Sequence, residues 1–172
     1  MISEEIKQYL IKVCAILNSH KVEYLVVGGA AVSHYGFNRA SGIGQYNSKL
    51  KADLDFWYNP TVENYQNLVH ALDELGVDTS DLKNLVFDKQ STFLKIPHED
   101  FHTDFLPVME GLDSFHTCNG KAEVIDVSGV PLRMLSYDDL ITNKRAVNRK
   151  TDQLDITELT KVQKRKRHGK RI

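Results

Sequence analysis

Cysteine is scarce in this chain. Cys14 and Cys118 are its two thiols, far apart and without metal-type spacing. That excludes a disulfide framework and a zinc ribbon, and points to reduced thiols in a cytoplasmic protein. Long hydrophobic runs are missing too. No stretch approaches the roughly 20 apolar residues that a membrane-spanning helix needs, and the start, Met1-Ile2-Ser3-Glu4-Glu5, lacks the pattern of a signal peptide. Internal repeats and low-complexity linkers are likewise lacking. Nor does one sign of charge dominate, since 22 Lys and Arg oppose 23 Asp and Glu. The near-balance hides an uneven distribution. Seven of the basic residues fall between Lys161 and Arg171, where there is no acid. An acidic body with a basic end suits contact with a polyanion, or with the chain's own acidic surface.

What remains is ordinary globular material: 172 residues, 41% hydrophobic and 26% charged, enough for one domain with a buried core. Ser3 with Glu4 and Glu5 forms a helix start, and Ile6, Leu10, Val13 and Leu17 recur at helical spacing. Glu23 to Val27 is a continuous apolar run of the kind found in doubly covered strands. It leads into Gly28-Gly29 and a short helix that ends at Gly36. A strand, two glycines and a helix start permit close backbone approach by an anion, and also make a plain tight turn. The segment 38–51, rich in Gly, Ser and Asn and containing Arg39, reads as a loop able to cover a site.

The densest chemistry lies in Lys51-Ala52-Asp53-Leu54-Asp55-Phe56-Trp57-Tyr58. Alternate strand residues share a face, so Asp53 and Asp55 lie side by side. Such a pair is either solvated on an edge strand or gathered around a hard cation such as Mg2+. A helix follows from Val62 to Leu75. Two strands, 91–96 and 101–107, come next, and the second sets Asp104 among apolar neighbours, where a carboxylate is costly unless it is paired or ligating. His98 and His102 have a zinc-like spacing only on a helix, and Pro97 and the strand-like flanks argue against one. Short strands at 122–127 and 130–134 precede Ser136-Tyr137-Asp138-Asp139, a capping box that opens a helix through Val147. A last helix begins near Thr151-Asp152, carries Leu154, Ile156 or Leu159, and Val162, and gives way to a basic tail.

Gly28-Gly29 after one strand, Asp53-x-Asp55 on the next and Asp104 on a later one, in that order, resemble the nucleotidyltransferase fold of the DNA polymerase β superfamily. Within it the chain is similar to the AbiEii-like and minimal nucleotidyltransferases of bacterial toxin–antitoxin systems. Asn143-Lys144-Arg145-Ala146 followed by Arg149-Lys150-Thr151-Asp152-Gln153-Leu154-Asp155 resembles that group's helical motif. The loop from Gly29 to Asp53 is longer than the group's usual spacing, with Lys51-Ala52 in place of its Thr-containing lead-in.

The resemblance implies an α/β (α+β) architecture, a mixed sheet of about five strands flanked by helices. Residues 1–134 would form the core with its N-terminal helix, 135–163 a helical segment closing the cleft, and 164–172 a basic tail. The implied activity is transfer of a nucleoside monophosphate from an NTP to an RNA such as tRNA, a protein or a small molecule, with pyrophosphate released. Asp53, Asp55 and Asp104 would hold two Mg2+ ions, Asp104 also helping to deprotonate the acceptor. Gly28 and Gly29 would cradle the phosphates, Lys144 would steady the triphosphate charge, and Asp152 would orient Lys144 or the nucleoside. Arg39, in the loop, would be at most a secondary phosphate contact. The expected partners are the NTP, RNA through the basic tail, and a toxin or antitoxin protein, with no membrane. A protein of the same fold without turnover, acting as an antitoxin or nucleic-acid-binding module, is the alternative.

Overall fold

A computed structural model describes residues 4–37, 52–99 and 101–169. The sequence expectations for Ser3, for the loop 38–51 with Arg39, and for residues 170–172 lie outside the described residues. Strands and helices follow in the order α1 (Glu4–Ser19), β1 (Tyr24–Val26), α2 (Gly28–His34), β2 (Ala52–Tyr58), α3 (Val62–Glu74), α4 (Ser80–Lys83), β3 (Leu94–Pro97), β4 (Phe101–Leu106), α5 (Phe115–Asn119), β5 (Glu123–Val127), β6 (Val130–Met134), α6 (Tyr137–Val147) and α7 (Lys150–Gly169).

One mixed sheet organises them, with strand order β3-β4-β2-β1-β6-β5. It has six strands rather than about five. β1 runs antiparallel to β2 and parallel to β6, while β2 runs parallel to β4. β3 and β5 close the edges, each antiparallel to its neighbour. Strand alternation divides the core between the two faces. Leu54, Phe56 and Tyr58 of β2 and Phe101 and Phe105 of β4 join Tyr24 and Val26 on one face, under α1 and α3. Leu25, Val27 and Trp57 turn to the other, where Ala31, Val32, Phe115, Leu135, Leu140, Ile141 and Leu159 cover them. Large aromatic and branched side chains on both faces supply the apolar burial that drives this packing. Cys14 and Cys118 are both buried and unbridged, one in each cluster.

Several local departures from sequence reading are physical in origin. The basic residues Lys164 to Arg167, expected in a tail from 164, belong to α7, which runs unbroken to Gly169. Lys and Arg are good helix formers, and a helix already nucleated extends through them. Leu154, expected inward, is half exposed, whereas Leu159 is fully buried. α4 and α5 are too short to leave a periodic apolar signature. Among the described residues no helix is long and apolar enough to cross a membrane.

Candidate active site

Asp53 and Asp55 share the β2 face that also carries Trp57, and β4 lies parallel beside it. The register pairs Asp55 with Asp104 and Asp53 with His102. Because β4 alternates in step, Phe101, Thr103 and Phe105 are buried on the opposite face while His102 and Asp104 turn toward the acids. A two-by-two array therefore stands on one face: Asp53 beside His102, and one step on, Asp55 beside Asp104. Residues as far apart in the chain as Asp53 and Asp104 meet because β2 and β4 are neighbours.

Gly28 completes the setting. Its φ is +57°, and a Cβ there would lie 1.9 Å from Asp55 Oδ2. No side chain fits between that backbone and the carboxylate, so the position calls for glycine on two independent grounds. Val27, just before it, donates its N–H to the Asp55 carbonyl at 3.0 Å. The strand-to-helix turn is thus tied directly to the acid strand.

The electrostatics are one-sided. Burial, then the nearby carboxylates of Asp104 and Asp53, push the Asp55 carboxyl up to about 6; Arg149 and Lys144 pull the other way. Asp104 is also raised, chiefly by burial, with Lys95 offsetting part of the effect. The Lys95 ammonium is 3.9 Å from Asp104 Oδ2 and half exposed, a weak pairing. Asp104 Oδ1 is buried and has no hydrogen-bond partner among the described residues. An acceptor left in that state costs free energy of about 1–3 kcal/mol. Asp53 is the most open of the three, 47% exposed, and its Oδ1 lies 3.4 Å from His102 Nδ1.

As the side chains stand, no three His, Cys, Asp or Glu among the described residues are arranged to hold a metal ion. The donors nonetheless suit one. They are mainly hard carboxylate oxygens, one of them buried and unpartnered among the described residues, and burial together with their mutual repulsion keeps Asp55 partly protonated near pH 6.

Lys144 and Asp152 occupy a second cluster. Asn148, at φ 55°, turns the chain from α6 into α7, so that the first turns of α7 pack back against the last turn of α6. Lys144 is only 4% exposed, and its Nζ lies 3.1 Å from Asp152 Oδ1 and 2.7 Å from Asp155 Oδ2. Asp152 also accepts from the Arg149 backbone N–H at 3.0 Å and from Arg149 Nε at 2.8 Å. Burial alone would raise the Asp152 carboxyl, but the hydrogen bonds from Arg149 and Lys144 outweigh it and hold it down to about 2. Asp152 therefore both caps its helix and pairs with the buried lysine. Arg149 remains 69% exposed and acts electrostatically on Asp55.

Asp155 and His102 carry parts of these clusters that sequence reading left without a role, whereas Arg149 belongs to the Arg-x-x-Asp motif already singled out beside Lys144. Asp155 could have been found as the residue one helical turn from Asp152, and His102 as the residue two before Asp104 on the same strand face. His98 is engaged elsewhere: its ring stacks on Phe101 at 4.3 Å and meets Tyr9 edge-on, and its Nε2 lies 3.0 Å from Thr103 Oγ1.

No family model matches the sequence, and no curated protein matches it either. Solved structures do match. A lincomycin-bound lincosamide antibiotic adenylyltransferase, LnuA, is 15% identical with a TM-score of 0.57, over 94% of this chain and 98% of that one. A Thermotoga maritima protein assigned as a nucleotidyltransferase gives 15% and 0.56, over 99% and 94%. The antibiotic-resistance factor ANT(2'')-Ia gives 15% and 0.52, over 90% and 82%. With near-complete overlap of both chains at TM-scores of 0.57 and 0.56, the chain has the nucleotidyltransferase fold.

Proposed function

We propose that this protein is a divalent-cation-dependent nucleotidyltransferase that moves a nucleoside monophosphate from an NTP to a hydroxyl acceptor and releases pyrophosphate. The observation that carries the reading is the grouping of Asp53, Asp55 and Asp104 on one sheet face beside Gly28, with Asp104 Oδ1 buried and unpartnered among the described residues. Asp53, Asp55 and Asp104 would hold the cations, two Mg2+ in the full site. Bound there, Mg2+ supplies charge stabilisation at the attacking and leaving oxygens of an in-line displacement.

The chain's own groups have distinct tasks. The backbone at Gly28 and Gly29, free of side chains and at a helix start, faces the phosphates. The acceptor oxygen attacks the α-phosphorus, the bond to pyrophosphate breaks, and the hydroxyl proton passes to Asp104 Oδ1. A carboxylate raised by burial is a better proton acceptor than a solvated one. Lys144, enclosed by two aspartates, serves as a positioning residue. It holds Asp152, which in turn holds Arg149, and both cations lend positive field to the site.

Two acceptor classes enter the proposal. The solved adenylyltransferase similar to this chain takes an antibiotic, which suggests a hydroxylated small molecule. The run Lys161, Lys164, Arg165, Lys166 and Arg167 on α7 suggests an RNA, whose backbone such residues bind without regard to sequence. A place in a toxin–antitoxin pair rests on the sequence resemblance alone. The retention of three mutually repelling acids speaks against a fold without turnover.

Incubation with each α-labelled NTP and Mg2+, beside total tRNA, candidate proteins or a panel of hydroxylated antibiotics, tests the reading. Wild type should transfer label, and Asp53→Ala should do so roughly a thousandfold more slowly, equivalent to about 4 kcal/mol of lost stabilisation. Equal labelling by the two proteins, or none by wild type with any acceptor, would refute it.

A further inference from the structure

His102 stands out among the histidines as the one placed in the acid array. It pairs in register with Asp53, lies two residues from Asp104 on the same face, and is three-quarters buried. Its Nδ1 faces Asp53 Oδ1 at 3.4 Å. The neighbouring His98 is instead packed between Tyr9 and Phe101. A structural imidazole would be expected to take a similar apolar seat or a backbone partner. His102 faces a carboxylate in a group that already contains an oxygen buried and unpartnered among the described residues.

Ligand type governs cation choice. Mg2+ accepts nitrogen donors reluctantly, whereas first-row transition metals take imidazole readily along with carboxylates. We propose that His102 is a nitrogen donor to the cation site formed with Asp53 and Asp104, and that it biases this site toward Mn2+ over Mg2+. This rests on the cation-site reading above and adds to it a donor of a different kind. It also gives Asp53 a reason to face His102: both side chains serve the same ion.

The test is pulsed electron paramagnetic resonance on the full chain loaded with Mn2+ at fixed pH, with Mn2+ and Mg2+ affinities measured in parallel. Wild type should show nitrogen coupling to the bound Mn2+. His102→Gln should lose that coupling, and its Mn2+ affinity should fall roughly tenfold or more while its Mg2+ affinity changes little. A wild-type spectrum without nitrogen coupling, a coupling that survives in His102→Gln, or equal loss of both metals overturns the assignment of His102. Asp104→Asn separates that failure from a deeper one. If it abolishes Mn2+ binding, the acid site stands whatever His102 does. If it binds Mn2+ as wild type does, the cation site fails and the assignment of His102 fails with it. The wild-type spectrum needs no variant, so a poorly folded substitution leaves the question answerable.

Discussion

Two clusters of charge lie under the same face of the sheet and are built in opposite ways. Around Lys144 the charges balance: two aspartates enclose one ammonium, and Arg149 satisfies the outer side of Asp152. Around Asp55 they do not. Three carboxylates gather with a partly exposed lysine and a histidine at their edge, and among the described residues one oxygen goes unpartnered. Opposite shifts result, Asp152 held down to about 2 and Asp55 raised to about 6. A cluster that completes its own charge pairing contributes to holding helices together. One left unbalanced among the described residues is the kind of cluster that the proposed cation would complete.

The comparison breaks most clearly at Lys144. Lys144→Ala leaves Asp152 and Asp155 buried without their shared cation, a change that costs about 3–5 kcal/mol. For a chain of this size that lowers Tm by roughly 10 °C, measurable by calorimetry. Replacing Lys144, Asp152 and Asp155 together with Met, Asn and Asn should recover much of the loss. A Lys144→Ala protein with unchanged Tm would dissolve the distinction between the clusters.

Asp55→Asn should act in the opposite direction. A carboxyl that titrates near 6 when folded, above its ordinary 3.8, favours the folded state below about pH 4 and loses that contribution as pH rises through 6. The metal-free variant should therefore match wild type near pH 4 and exceed it at pH 7 by on the order of 2 kcal/mol. Denaturant titration across pH reads the difference. Saturating Mg2+ should stabilise wild type at pH 7 and leave Asp55→Asn nearly unchanged.

The smallest effect falls at the turn. Gly28→Ala imposes a left-handed conformation costing about 1–2 kcal/mol and drives a methyl group into Asp55. Stability should fall by at least that amount, while cation binding, followed by Mn2+ titration, should fall further. Equal losses in the two measurements would mean that the Asp55 carboxylate moves aside without consequence.

Period and propensity made much of the fold legible. The apolar stripe of α1, the strand at Leu54 to Tyr58 and the Ser136 cap were readable because each signal is local. The structure has Ser136 accepting from the Asp139 N–H as a capping box requires. α4 and α5 were not legible, since four or five residues span barely more than one turn. α7 extends further than its charge suggests, because Gln163 to Arg167 are all good helix formers. Asp53, Asp55 and Asp104 drew attention as acids in apolar strands, a cost visible without coordinates. His102 and Asp155 left only a spacing to Asp104 and to Asp152 as a local signal, and the groups they face, Asp53 and Lys144, are set by the tertiary structure.

Alternation along β2 and β4 is a property of the amino-acid order, and it alone required Asp53 and Asp55 to share a face and Asp104 to oppose Phe105. Which strand lies beside which is not local. The register of Asp55 with Asp104, the approach of Gly28 to Asp55 and the enclosure of Lys144 between Asp152 and Asp155 arose only when the sheet and the α6–α7 turn were assembled. Burial and the mutual field of charges depend on distances through space, and chain order does not specify those.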